Sequence, residues 1–276
     1  MKKSLSLIFA SCCAMAATAL TVSQPSKVEI NGPAHNPVLS ADGKIMLFSS
    51  DDHTGLKALN MAKGSITVLD ESTGAGFNPI LSNDGKNVIY QTARLIDGLM
   101  NRDVRTFDLA TGKTERIAQM SREEINLSEL SGRTDYVTAD YDCIVVARNG
   151  KAEQIRPLAD AHSYLWASLS PDGTKMVFVE PFQGVFISNL DGSNPVNIAK
   201  KGAFPSWAGE NLVTYTLSHD DGYVILDSTL KVYDMTTGIT LDLTPSDVLV
   251  GKSTSSFDGT VVYTTLEGEV YKFNVK

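Results

Sequence analysis

Two nonapeptides, NPVLSADGK at residues 36–44 and NPILSNDGK at 78–86, differ only at Val38/Ile80 and Ala41/Asn83 and lie 42 residues apart. A chain that spells one phrase twice at such a spacing is built of repeated structural units. ASLSPDGTKMVFVE (167–180) is a third copy, and SWAGENLVTYT (206–216) and SSFDGTVVYTT (255–265) are shorter echoes. In each, a Gly-containing turn joins two apolar runs. Glycine accepts the positive φ that a tight hairpin imposes, so each phrase reads as strand, turn, strand.

The residues after each phrase repeat too. LKALNMAKGSITVLD, VRTFDLATGKTERIA, VFISNLDGSNPVNIA and TLKVYDMTTGITLDLT each hold a strand, a turn at Gly64, Gly112, Gly192 or Gly238, and a shorter, more polar strand. The unit is a four-stranded antiparallel meander of about 42 residues, the period of a β-propeller blade. Its second strands (IMLFS, VIYQT, MVFVE, LVTYT, VVYTT) are apolar on both faces, as stacked blades require, and its fourth strands suit a rim. Segment 124–159 lacks the Asp-Gly turn but keeps the strand order around Gly132 and RNGK, so it counts as a degenerate third blade. Units begin near Ala34, Gly76, Glu124, Tyr164, Phe204 and Val248, and the last runs out after three strands at VYKFNVK. An open blade edge invites aggregation. SKVEING (26–32) belongs to no unit and supplies the missing strand. The expected fold class is all-β: a six-bladed β-propeller of four-stranded antiparallel blades, the last completed by the N-terminal strand.

The opening MKKSLSLIFASCCAMAATAL places Lys2 and Lys3 before an uncharged run with small residues at Ala17 and Ala19, the pattern of a signal peptide over 1–19. Residues 20–276 then form one propeller domain. Two other readings of the leader stand beside this one: a lipid anchor at Cys12 or Cys13, and an uncleaved membrane anchor over Leu5–Val22. Cleavage would move the formal charge from −8 to −10 and leave Cys143 as the lone cysteine, with no disulfide partner. Within DCIVVA it reads as a small buried hydrophobe.

The phrases LSADGK, LSNDGK and LSPDGT, each followed by an apolar strand, resemble the repeats of TolB-type six-bladed propellers, found in periplasmic TolB and in many exported bacterial proteins. The resemblance covers residues 26–276 and implies a fold more than an activity. TolB carries an additional N-terminal α/β domain for which this chain has no room. Similar propellers precede the catalytic domain of prolyl-oligopeptidase-like hydrolases, but GxSxG is absent here. HExxH, CxxC, GxGxxG and GxxxxGK[ST] are absent as well. The acidic balance disfavours nucleic acid. The expectation is a monomeric, non-enzymatic module without a cofactor, binding a protein or peptide partner in the cell envelope. The alternatives are a lipid-anchored envelope accessory protein and a metal-assisted glycan-active enzyme.

Antiparallel alternation puts the first-to-second and third-to-fourth turns of every blade on one face, and the second-to-third loops and blade connections on the other. The short Gly turns occupy the first face. Four insertions occupy the second: 93–102, 218–227, 51–55 and 118–124, read as long loops outside the ladders. Function concentrates in such loops. The candidate binding residues there are His35, His53, His162, His219, Asp220, Asp221, Arg94, Arg102 and Trp166. Asp51, Asp52, Asp220 and Asp221 with His53 or His219 have the donor types of a divalent-cation site. Paired loop aspartates are more often turn formers, so no metal ligands are assigned. Among the aromatics Phe77, Tyr164, Trp166, Phe204 and Trp207, the position of Trp207 matches Leu39, Leu81 and Leu169 and reads as core. Trp166 aligns with Asn36 and Asn78 and reads as a ligand-contacting aromatic.

Overall fold

The repeated phrase closes on itself in the same way four times. The hydroxyls of Ser40, Ser82, Ser170 and Ser256 donate to Oδ1 of Asp42, Asp84, Asp172 and Asp258 at 2.8, 2.6, 2.6 and 2.5 Å. The same oxygens accept the backbone N–H of Lys44, Lys86, Thr174 and Thr260. Gly43, Gly85, Gly173 and Gly259 donate back to the serine carbonyls from left-handed φ of 69–86°. At Gly259 an added Cβ would lie 2.2 Å from the Val275 carbonyl oxygen, so backbone conformation and space both require glycine there. The phrase is repeated because each copy is a self-satisfied turn.

Hydrogen bonds from Ser170 and from the Thr174 hydroxyl and N–H hold the Asp172 carboxyl down at about 2. A depressed folded-state value stabilises the protein above the ordinary carboxylate value of about 4 and loses that stabilisation as pH falls towards 2. The melting temperature of the parent is therefore expected to fall more steeply over that window than that of Asp172→Asn. Parallel acid-side slopes in melting curves from pH 4 to 2 would refute this.

In a computed structural model the described residues are 20–50, 53–82, 84–120, 136–161 and 163–276. They begin with β1 (Ser26–Lys27). Blade one is β2 (His35–Leu39), β3 (Ile45–Ser49), β4 (Leu56–Asn60) and β5 (Ile66–Asp70). Blade two is β6 (Ile80–Leu81), β7 (Asn87–Ile96), β8 (Leu99–Asp108) and β9 (Thr114–Met120). Blade three shows β10 (Tyr136–Asp140), β11 (Cys143–Arg148) and β12 (Lys151–Ile155). Blade four is β13 (Leu165–Leu169), β14 (Lys175–Glu180), β15 (Gly184–Asn189) and β16 (Val196–Ala199). Blade five is β17 (Ala203–Trp207), β18 (Leu212–Asp220), β19 (Ile225–Asp234) and β20 (Ile239–Asp242), and blade six adds β21 (Val250–Ser255), β22 (Thr260–Thr265) and β23 (Val270–Asn274). The result is the expected six-bladed propeller. Tyr164 N–H donates to the Tyr141 carbonyl, so β10 ends on the face where β13 begins. It therefore runs as a second strand, and the segment read as the first strand of blade three falls within 121–135, outside the described residues.

Closure follows the sequence reading with a shifted register. Sheet order β1-β23-β22-β21 completes blade six with the N-terminal segment. Of the segment 26–32, Ser26, Lys27 and Val28 pair, but not as the start of the ladder. It starts earlier instead: Thr21 and Lys276 exchange backbone bonds, Val22 bridges Val275, Ser26 faces Lys272, and Val28 N–H donates to Val270. The ladder ends there, and Val28 and Ile30 turn onto the blade-one and blade-six core.

The second strands are buried on both faces and the outer strands β5, β16 and β20 are largely exposed. Cys143 is buried, and burial pushes its thiol up from its ordinary value. Blades one and two are tied by a partly buried carboxylate, Asp70, which accepts from Tyr90 Oη and Arg105 Nη1, both at 3.0 Å.

Two insertions depart from expectation. Segments 93–102 and 218–227 are not loops outside the ladders. β7 and β8 stay paired out to Ile96 and Leu99, and β18 and β19 out to Asp220 and Ile225. Asp97 and Gly98, at φ 50° and 75°, make the two-residue turn that matches strand twist. The apolar alternation that would have announced a strand is blurred here because neither side of the extension is buried. Of the other two insertions, Asp51 and Asp52 lie outside the described residues, and 118–120 belong to β9.

Candidate functional site

The inner strands converge on a central cavity of about 950 Å³ to which all six blades contribute. Its mouth is set by a recurring irregularity. β2, β13, β17 and β21 each carry a register shift near their start. Asn36, Asn78, Trp166 and Phe204 occupy left-handed backbone at φ 53°, 43°, 50° and 54°. For a bulky aromatic that conformation is strained and persists only where its surroundings enforce it. Each of these residues stands four positions before the residue that follows its inner strand, Ser40, Ser82, Ser170 or Ala208. Counting back from Ser256 in the same way reaches Lys252. The ring around the mouth therefore reads Asn, Asn, Trp, Phe and Lys over blades one, two, four, five and six.

Its members interact. The Trp166 and Phe204 rings pack with centroids 4.4 Å apart, and Lys252 Nζ sits 4.9 Å from the Phe204 centroid. Asn36 faces away, its amide 2.8 Å from His53 Nδ1 and bonded to Ser49 Oγ, while the His53 ring meets Phe77 edge-on at 5.1 Å. Lys252 is largely buried in the wall, and desolvation lowers its ammonium to about 8. Arg102 and Met100 of the blade-two hairpin also line the cavity, as does Asp140 of blade three.

Of the residues read from sequence as the binding face, Trp166 and Arg102 meet at this cavity. The others are placed elsewhere. His35 is half-buried at the start of β2, opposite Ser49. His53 is held between blades one and two by the contacts just given. His219 Nδ1 lies 2.8 Å from Asp227 Oδ1 on the exposed blade-five hairpin. Asp220 accepts from Gly222 N–H, and Asp221 from Tyr223 and Val224 N–H, so both carboxylates shape the hairpin tip. Arg94 is exposed opposite Asn101. His162 lies outside the described residues. Sequence reasoning passed over Lys252, although the alignment that singled out Trp166 also reaches it once extended to the last blade.

No protein-family model matches the chain, and no curated protein does. Solved structures do. A TolB-like protein from Agrobacterium tumefaciens is 15% identical, with 91% of this chain and 96% of that one covered at a TM-score of 0.58. An oligogalacturonate lyase from Vibrio parahaemolyticus is 15% identical over 90% of this chain and 79% of that one, TM-score 0.50. A streptogramin B lyase is 14% identical over 92% and 98%, TM-score 0.52. What is shared is the propeller fold.

The last two comparisons correct one expectation. The lack of familiar catalytic motifs was read as marking a non-enzyme, yet two lyases are among the structures sharing this fold. A propeller without those motifs is not thereby non-catalytic. No helix among the described residues is long and apolar enough to cross a membrane.

Proposed function

We propose that the chain is an exported binding module that takes a protein or peptide partner of the bacterial envelope at the mouth of its central cavity. One observation carries the reading: two β-hairpins rise on the mouth face with apolar tips left in solvent. Leu95, Ile96, Leu99 and Met100 crown the blade-two hairpin, and Tyr223, Val224 and Leu226 the blade-five hairpin, with Leu95 71% and Tyr223 96% exposed. Blades two and five lie across a six-membered ring from each other, so the tips flank the mouth from opposite sides. Exposed apolar clusters beside a concavity mark interaction surfaces. The leader over residues 1–19 supports export, and the fold shared with a TolB-like protein agrees with an envelope location. The proposal is for a monomer in which residues 20–276 are the mature domain.

The test is affinity capture from envelope extract with tagged residues 20–276, parent against a variant in which 94–101 is replaced by Asn-Gly. The rungs removed are solvent-exposed pairs, each worth a fraction of a kcal/mol, so the melting temperature should hold. Capture of a discrete partner should be lost. Undiminished capture by the shortened protein would refute the role of the hairpin.

A further inference from the structure

Lys252 is the charged member of the mouth ring, and no carboxylate among the described residues is paired with it. Its contact is the Phe204 face, and its lowered ammonium value has burial as its sole cause. A largely buried cation without a counter-charge costs free energy, and a fold that keeps one presents it for a ligand to pair. Asp140, the single carboxylate among the described residues lining the cavity, belongs to blade three, across the ring from blade six. Arg102 adds a second cation on the mouth side. Beside Lys252 the Phe204 ring packs on Trp166 to make an apolar wall, and Met100 lines the cavity from blade two.

We infer that the cavity mouth is a carboxylate site: Lys252, supported by Arg102, pairs with a carboxylate carried on an apolar peptide segment whose side chains lie against Phe204, Trp166 and Met100. This rests on the partner-binding reading and specifies the chemistry the partner presents. A carboxylate at the lysine forms a charge-assisted hydrogen bond in a site largely screened from water, and the adjoining apolar side chains displace water from the aromatic wall. An amide in its place would leave the ammonium unpaired.

The site should follow the charge of Lys252. With the free lysine titrating at about 8, carboxylate affinity is full below that value and falls as pH rises through it. From pH 7 to 9 the protonated fraction drops about tenfold, and affinity with it. Among the described residues, the other titratable side chains lining the cavity are Arg102, Asp140, Tyr136, Tyr141 and Tyr164, with the Tyr136 and Tyr164 phenols raised by burial. Lys252→Arg separates them from Lys252, because a guanidinium stays charged throughout.

The experiment is calorimetric titration of residues 20–276 with N-acetyl-phenylalanine, with its amide and with inorganic phosphate. The acid is expected to bind at least tenfold more tightly than the amide at pH 7, with that preference lost about tenfold by pH 9. Lys252→Met should abolish the preference, and Lys252→Arg should keep it while flattening its pH dependence. Removing an uncompensated buried charge should leave the melting temperature of Lys252→Met unchanged or raised, so loss of binding is separable from loss of fold. Equal binding of acid and amide, a preference surviving in Lys252→Met, a slope surviving in Lys252→Arg, or phosphate competing as well as the acid would each overturn the inference. If these titrations come out as expected while the hairpin-shortened protein still captures its envelope partner, the carboxylate site stands and the hairpin reading falls. The converse pair of results sinks the carboxylate site alone.

Discussion

Protein beginning at residue 29 is expected to lose most of its stability and to aggregate, where protein beginning at residue 20 melts cooperatively. Residues 20–28 give blade six its outer strand through the paired bonds of Thr21 with Lys276, Ser23 N–H to Asn274, and Val28 N–H to Val270. Ser23 Oγ also accepts from Asn274 N–H at 2.9 Å, and Lys27 pairs with Glu269 at 2.6 Å. Leu20 and Val28 pack on two of the core clusters. Four interstrand bonds at about 1 kcal/mol each and two partly buried apolar side chains at up to about 1.5 kcal/mol each sum to the scale of a whole domain's stability. The deletion also bares β23 as an edge for other chains to pair with. Thermal unfolding and light scattering of the two proteins decide the matter, and equal melting temperatures would contradict closure by this strand.

Trp207→Ala should destabilise the protein by about 3–5 kcal/mol, the range for truncating a buried aromatic. Trp207 is 1% exposed, and its indole N–H donates to the Ser168 carbonyl at 3.1 Å, joining the inner strands of blades five and four. Its ring fills the interblade cluster of Val177, Val179, Val185 and Ile187. Truncation therefore opens a cavity and orphans a carbonyl together. Chemical denaturation of parent and variant measures the loss, and a change under about 1 kcal/mol would show that the blades close up around the gap. Phe is the better-tolerated replacement, since it keeps most of the volume and loses only the hydrogen bond.

The fold was legible because a propeller repeats one solution. Ser40, Asp42 and Gly43 recur at 82, 84 and 85, at 170, 172 and 173, and at 256, 258 and 259, and each trio satisfies its own turn. Such local chemistry survives translation from sequence to structure. The side on which the two hairpins emerge was legible too, since strand direction alone assigns it. What failed depended on long-range packing. The segments 93–102 and 218–227 looked like loops because a hairpin that leaves the blade has no buried side to impose alternation. His53 read as a binding-face residue because its partner, Asn36, lies on a different strand. Lys252 escaped because a lysine ordinarily reaches solvent, and only the ring of inner strands shows that this one is enclosed beside Phe204.

On the proposed function, the mouth face, and not the face of short turns, meets the partner. Site-specific photo-crosslinking in intact cells tests it most directly, with the photoreactive residue placed singly at Leu95, Met100 or Tyr223 on the hairpins, or at Lys63, Lys113 or Asn194 in the third-to-fourth turns of the opposite face. An adduct of one discrete mass is expected from the hairpin positions and none from the turns. Adducts confined to Lys63, Lys113 and Asn194 would contradict it.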